Sequence, residues 1–236
     1  MSIYLFGEGQ TEKNVVQKFA NLANPQITGQ GKAQVNHQMA EILGPRLNQP
    51  EPLRVLVMRD VDEGEMPERI VQSVTGAVQG MLNQRGFPVA VQLQPHTTYP
   101  NVHWLALDNP DLRLALHLST YKWQETFVNA TVDDYVLALA LRETTVAALL
   151  RTKQWQTGPE QIIRKVTERI PGLLQENSIP LREAKGYVRL YAAVIQEHTS
   201  PATFASNVVA NAADGDKQAI FAPLLAALDF LGAEPR

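Results

Sequence analysis

Acidic side chains stand at two places where an apolar segment gives way to a loop. Glu8 lies in a glycine-rich loop directly after the apolar run Ile3 to Phe6, and Asp60 and Asp62 follow the apolar run Leu53 to Met58. Two carboxylates about 4 Å apart repel each other by about 4 kcal/mol at an effective dielectric of about 20, so three of them stay charged together only around a cation. Ligand sets made of oxygen alone favour Mg²⁺ or Mn²⁺ over zinc. We therefore predict a magnesium or manganese site formed by these three residues.

The two apolar runs predict strands that bring the acids to one edge of a sheet. The run from Leu53 to Met58 is apolar except for Arg54, which is typical of a strand covered on both faces in a parallel sheet. A helix is predicted after each run, one over about Thr11 to Ala23 and one that begins near Pro67 and stops at Gly86. In open α/β sheets, ligands bind beyond the carboxyl ends of the strands. Both acidic loops are expected at that edge.

The rest of the chain predicts a change of architecture near residue 131. The segment before it alternates between strands and helices, with a helix predicted over Ala33–Leu47 and strands over Val89–Leu93, Val102–Leu107 and Leu112–Leu118. Helical periodicity dominates afterwards, and we predict helices over Asp134–Thr152, Pro159–Glu176, Leu181–His198, Pro201–Ala213 and Lys217–Leu231. The expected fold is an α/β core with a mostly parallel sheet over residues 1–130, followed by an all-helical C-terminal domain or cap over residues 131–236.

Composition excludes several kinds of function. The 236 residues contain no cysteine, which excludes disulfides, zinc–thiolate sites and thiol nucleophiles. The net charge of −3 is unlike that of a protein that coats nucleic acid, so a nucleic-acid contact is expected through a local patch or a bridging cation. The sequence has no apolar run long enough to span a membrane and no signal-peptide pattern, and we expect a cytoplasmic protein.

The acidic motifs carry a resemblance to a known family. The pattern Glu8-Gly9-x-Thr11-Glu12 after a first strand, followed by Asp60-x-Asp62 after an apolar strand, resembles the TOPRIM domain. That domain is shared by topoisomerases, bacterial-type primases and overcoming-lysogenization-defect nucleases. The chain is similar in particular to small bacterial TOPRIM-like proteins of unassigned function, which have a glycine–lysine loop after the first motif and a helical C-terminal part. The resemblance covers roughly residues 1–95 and implies a TOPRIM-like, Rossmann-like core.

The resemblance implies roles for individual residues. Glu8 would act as a metal ligand or general acid/base, and Asp60 and Asp62 would hold Mg²⁺. In the nuclease branch, an acid at the position of Glu12 helps to hold a second metal, and two metals about 4 Å apart activate water and stabilise the leaving oxygen. Lys32 and Gly9 are expected to contact a phosphate. The implied function is a magnesium-dependent, nuclease-like enzyme that acts on phosphodiesters, in defence against phage or mobile elements.

The motif also departs from the family, and other functions stay open. Gly64 stands one position earlier than the glycine of the family's DxDxxG pattern, and no additional lysine or acid completes a nuclease site. A second hypothesis is a non-catalytic module that binds a metal with a nucleotide or a nucleic-acid end, whose helical part docks a partner protein or a second copy of the chain. A third hypothesis is a degenerate scaffold that binds no metal.

Several residues also have a plain structural interpretation. Glu12 is equally well explained as a solvated acid in the first turn of a helix, where the helix dipole favours it. For Glu63 and Glu65 the surface interpretation is preferred, and for Lys32 a surface position is as good an explanation as a phosphate contact. The segment Gly7-x-Gly9 also resembles a dinucleotide-binding fingerprint, but an acid replaces the third glycine. Four aromatic residues are expected in packing contacts more than in a surface that stacks on bases: Tyr99, Trp104, Tyr121 and Trp123.

Overall fold

The chain forms two compact units, Met1–Thr120 together with Pro223–Arg236, and Tyr121–Ala222. The computed structural model describes residues 3–22, 26–27, 32–151, 153 and 157–233, with the backbone alone at 26, 27, 32 and 33. This division differs in two ways from the predicted 1–130 and 131–236. The boundary falls ten residues earlier, and the C-terminal helix returns to the first unit. It returns because Phe230 stacks on Trp104 with 4.8 Å between ring centroids, and its carbonyl accepts a hydrogen bond from Arg113 at 3.4 Å.

A mixed sheet organises the first unit. Its strands within the described residues are β1 (Tyr4–Gly7), β2 (Gln26–Ile27), β3 (Leu53–Asp60), β4 (Gln94–Pro95), β5 (Val102–Leu107) and β6 (Leu112–Ser119). Their order across the sheet is β2-β1-β3-β6-β5-β4. The first four of these are parallel, whereas β5 is antiparallel to both of its neighbours. The prediction of an α/β class with a mostly parallel sheet is confirmed.

The central strand β3 is buried on both faces, as its largely apolar sequence predicts. Residues 53–59 of this strand are all buried. The helices of this unit are α1 (Gln10–Val16), α2 (Lys32–Leu43), which continues into a 3₁₀ turn over Gly44–Arg46, and α3 (Pro67–Gln84). Val55 and Val57 belong to one apolar cluster with Met39 of α2 and with Val74 and Val78 of α3. This packing determines which face of the sheet each side chain of β3 points to.

Two elements near the N-terminus differ from the prediction. Helix α1 ends at Val16 and not near Ala23, because the chain must return beside the start of β1. There the amide of Ile3 donates to the carbonyl of Asn21 at 3.2 Å, and Ile3 forms a parallel bridge with Leu22. The short strand β2 then pairs with β1, where the sequence predicted no strand.

The strand predicted over Val89–Leu93 is wrong. The side chain of Gln79 occupies the backbone groups that a strand partner would use. Its Nε2 donates to the carbonyl of Val89 at 2.8 Å, and its Oε1 accepts from the amide of Val91 at 2.8 Å. A two-residue strand, β4, follows this segment. An amide side chain on α3 therefore satisfies the polar backbone that a sheet would otherwise satisfy.

The second unit is helical, as predicted. Its helices are α4 (Val132–Ala140), α5 (Glu143–Leu150), α6 (Pro159–Arg164), α7 (Ile170–Glu176), α8 (Ala184–Val194), α9 (Pro201–Asn211) and α10 (Asp214–Ile220), and α11 (Ala222–Phe230) passes into the first unit. A π-helical turn, Lys165–Arg169, joins α6 to α7 just before Pro171, whose missing N–H and bulky ring disfavour a regular turn. No helix in the described part of the chain is long and apolar enough to cross a membrane.

The start of α4 buries two adjacent acids in different ways. Asp134 accepts hydrogen bonds from the amides of Trp123 and Thr131, both at 2.9 Å, and so caps the helix. Asp133 is 6% exposed, and its Oδ1 has no hydrogen-bond partner among the described residues. Burial raises the pKa of Asp133 to about 6, although the nearby Lys185 works against the rise. The folded chain therefore holds a proton on Asp133 at a pH where the unfolded chain has released it.

We expect Asp133→Asn to stabilise the protein above pH 6 and to have little effect below pH 4. Because the pKa of Asp133 is higher in the folded state, the free energy of unfolding falls as pH rises from about 4 to about 6, by about 3 kcal/mol at most. Asparagine removes that loss. Urea unfolding followed by circular dichroism from pH 4 to 7 measures the difference. Glu176→Gln, at an exposed acid, is the control, and a difference that does not vary with pH would contradict the prediction.

Candidate functional site

The register of β1 against β3 determines which loop residues meet. Phe6 pairs with Val57, and two further residues along both parallel strands bring Glu8 level with Arg59. On the other side of β3, Asp60 pairs with Ser119 at the last position of β6. The carboxyl ends of these three strands share one edge. Glu8 and Asp60 therefore lie at the same sheet edge, although Asp60 is the last residue of β3 and not part of the loop that the sequence predicted.

A buried arginine holds Glu8. The guanidinium Nε of Arg59 donates to Oε1 of Glu8 at 3.0 Å, and Arg59 is only 5% exposed. A charged side chain taken out of water requires a partner of opposite charge. Sequence reasoning missed Arg59, yet a signal was present. An arginine within a largely apolar strand that is covered on both faces must find a carboxylate, and Glu8 directly follows the neighbouring strand β1.

A tight turn positions Asp62 and Glu65. The amide of Glu65 donates to the carbonyl of Asp62 at 3.0 Å, and the amide of Asp62 donates to Oε2 of Glu65 at 3.3 Å. Gly64 has φ +73° within this turn, a conformation that favours glycine, which explains its early place after the two aspartates. Oε1 of Glu65 lies 3.8 Å from Nη2 of Arg59. Glu63 is exposed and Glu65 is half-buried.

Glu12 is buried and not solvated, so that alternative is wrong. It is 4% exposed in the first turn of α1. Its carboxylate lies against Gly9 so closely that a Cβ on Gly9 would come within 3.0 Å of Oε2 of Glu12. A phosphate at Gly9 would meet this negative charge. The predicted phosphate contact at Gly9 therefore requires a cation between the two groups.

The predicted metal ligands lie at one edge of the sheet, but their carboxylates do not converge on a common point. Among the described residues, no group of three or more histidine, aspartate or glutamate side chains could hold a metal ion. The donor chemistry of Glu8, Asp60 and Asp62 nevertheless fits Mg²⁺ or Mn²⁺, because all three offer carboxylate oxygens. Lys32 is the first residue of α2, and its side chain lies outside the described residues, as does the loop 28–31 before it.

A polar pocket of about 440 Å³ adjoins these residues. The turn after β3 and the first turns of α3 line it. Its charged residues are Arg59, Asp62, Glu63, Glu65 and Arg69. Three carboxylates against two guanidinium groups leave one negative charge in excess, so an anionic ligand would need a cation with it. The pocket also contains the Ser73 hydroxyl, which accepts a hydrogen bond from the Asn36 side chain at 2.8 Å.

Tyr99, Trp104 and Trp123 are half-buried and contact other rings, as the structural interpretation predicts, whereas Tyr121 is 42% exposed and lies 5.3 Å from Tyr135. Trp104 lies between His96 and Phe230, at 4.7 and 4.8 Å from their ring centroids. In the second unit, Trp123 packs at 5.2 Å from Tyr187. His117, within β6, is buried, and burial lowers its pKa to about 4, so it is neutral near pH 7. None of these contacts indicates a surface for stacking on bases.

Comparison with known proteins adds no relative. No family model, curated protein or solved structure matches the chain.

We expect Glu8→Ala to destabilise the protein by about 1–3 kcal/mol, because it leaves the guanidinium of Arg59 buried without its nearest carboxylate. Glu65→Ala is expected to cost less than about 1 kcal/mol, since that pair is longer and its carboxylate is 26% exposed. Urea unfolding in the presence of a chelator compares the two variants. Equal losses would show that Arg59 does not depend mainly on Glu8.

Proposed function

We propose that this chain is a Mg²⁺- or Mn²⁺-dependent enzyme acting on phosphodiesters, nuclease-like, with a TOPRIM-type carboxylate site. Glu8, Asp60 and Asp62 would hold the cation. The observation that supports this proposal most strongly is the placement of Glu8 and Asp60 at the ends of two neighbouring parallel strands in register. A cytoplasmic protein in phage or mobile-element defence is the biological setting that the resemblance suggests.

Each residue at this edge has a chemical task in the proposal. A divalent cation would supply positive charge for the developing charge on the phosphoryl oxygens. Glu8 would orient that cation or move a proton, and the buried Glu12 would hold a second cation if one binds. Lys32 and Gly9 would contact a phosphate, and the guanidinium of Arg69 lines the polar pocket that contains Asp62. Excess negative charge in the pocket makes the cation a requirement for binding an anionic substrate.

Asp60→Asn is expected to remove at least about 99% of a divalent-dependent cleavage activity, because it withdraws a charged ligand while keeping the shape of the side chain. The assay uses end-labelled single- and double-stranded DNA and RNA with Mg²⁺, Mn²⁺ or a chelator. Mn²⁺ affinity is measured in parallel through the electron paramagnetic resonance signal of the free ion, and it should fall at least about tenfold.

Glu51→Gln is the matched control for this experiment. Glu51 is an exposed acid just before β3, at the opposite end of the strand, and its neutralisation should leave both activity and Mn²⁺ affinity unchanged. Cleavage that persists in the chelator, or that Asp60→Asn preparations retain in full, would contradict the proposal.

A second candidate is a non-catalytic binding module whose helical part docks a partner protein or a second copy of the chain, and one observation favours it. In the second unit, α7 has no buried side chain among those described, and Leu173 and Ile179 are 58% and 62% exposed. This candidate expects Mn²⁺ binding without cleavage. Light scattering of wild type and Leu173→Ser then distinguishes a homodimer through this surface from a chain that binds a different partner.

A further inference from the structure

Two neighbouring strands of the sheet position the partners of the ion pair between Arg59 and Glu8. Arg59 belongs to β3 and Glu8 directly follows β1, and the register of these parallel strands sets the two residues side by side. The Nε to Oε1 distance is 3.0 Å, and the side chains are only 6% and 16% exposed. Water therefore screens this pair weakly, and the pair forms without any cation from solution.

A divalent cation and the guanidinium of Arg59 would compete for the carboxylate of Glu8. A cation bound to the same carboxylate would lie within a few ångströms of the guanidinium, which stays charged near neutral pH. The repulsion between the two positive charges is strong where water is scarce. Either the guanidinium leaves Glu8 when the cation arrives, or the cation binds with reduced affinity.

We infer that Arg59 is a built-in counter-cation that competes with the divalent cation for Glu8 and thereby sets the cation concentration at which the site fills. The inference rests on the proposed function, because it concerns the same carboxylates. In this role Arg59 is a positioning residue. It holds Glu8 beside β3 while no cation is bound, and it raises the concentration of cation needed to replace it.

The charge of Arg59 can be separated from its shape by two substitutions. Arg59→Gln keeps an N–H donor near Glu8 and removes the positive charge, whereas Arg59→Lys keeps the charge on a different shape. Competition by charge predicts tighter cation binding in Arg59→Gln alone. A purely structural role predicts that both substitutions weaken binding.

A matched control exists on the same strand. Arg54 is 7% exposed and its Nη1 donates to Oδ1 of Asp111 at 2.7 Å, at the opposite end of β3. Five residues at about 3.3 Å each place it about 16 Å from Arg59, beyond the screening length of about 8 Å in physiological salt. Arg54→Gln therefore removes a buried arginine and should leave cation affinity unchanged.

The test measures Mn²⁺ affinity at pH 7.5 through the paramagnetic resonance signal of free Mn²⁺, on the full chain. The inference expects Arg59→Gln to bind about tenfold more tightly or better, with Arg59→Lys and Arg54→Gln close to wild type. Wild-type binding that Asp60→Asn abolishes but Arg59→Gln does not tighten would overturn the inference and leave the proposed site intact. Absence of Mn²⁺ binding in wild type and Arg59→Gln alike would overturn both.

A measurement on the wild-type chain covers the case in which the Arg59 variants fail to fold. The Nε–Hε signal of Arg59 in a ¹H–¹⁵N spectrum, assigned by triple-resonance experiments, reports directly on its bond to Glu8. Competition expects this signal to shift or broaden as Mg²⁺ saturates the site. A signal that stays in place at saturating Mg²⁺, while signals of residues 60–62 move, would overturn the inference.

Discussion

The in-register pairing of two parallel strands is the constraint on which the candidate site depends. Apolar side chains on both faces of β3 fix its register against β1, because a slip of one residue would turn every side chain to the opposite face. Glu8 is then forced beside Arg59, one residue before Asp60. The guanidinium of Arg59 balances the charge of Glu8 in the folded chain. Under the proposed function, a divalent cation would do the same at this edge of the sheet.

The loops that follow β1 and β3 each place a carboxylate near the buried guanidinium of Arg59. Arg59 engages Glu8 from the end of β1 and approaches Glu65 from the turn after β3. That turn needs Gly64 at positive φ to bring Glu65 back toward the strand. Gly64 therefore stands two residues after Asp62 for a local reason, since the tight turn places Glu65 near the arginine.

Local sequence patterns predicted the parts of the site that depend on local structure. The largely apolar run of β3 and the short run before Glu8 placed both acids at one sheet edge, because burial on both faces favours apolar residues. Several failures involve partners outside the segment that was read. The side chain of Gln79 replaced a predicted strand over Val89–Leu93, and the stacking of Phe230 drew the last helix back to the first unit. Arg59 was missed for the same reason, since its meaning depends on which strand lies beside it.

The two candidate functions depend on the same balance of charges in the polar pocket. A phosphate that enters the pocket beside Asp62 meets an excess of carboxylates, so enzyme and binding module alike need a cation to hold it. The two candidate functions differ in the number of carboxylates that can bind the cation. Glu12 is a further acid near this edge, and it is buried against Gly9. A second cation would therefore have to bind its carboxylate out of bulk water. The step from binding a phosphate to cleaving its ester therefore depends on whether Glu8 and Glu12 both turn toward cations when Arg59 gives way.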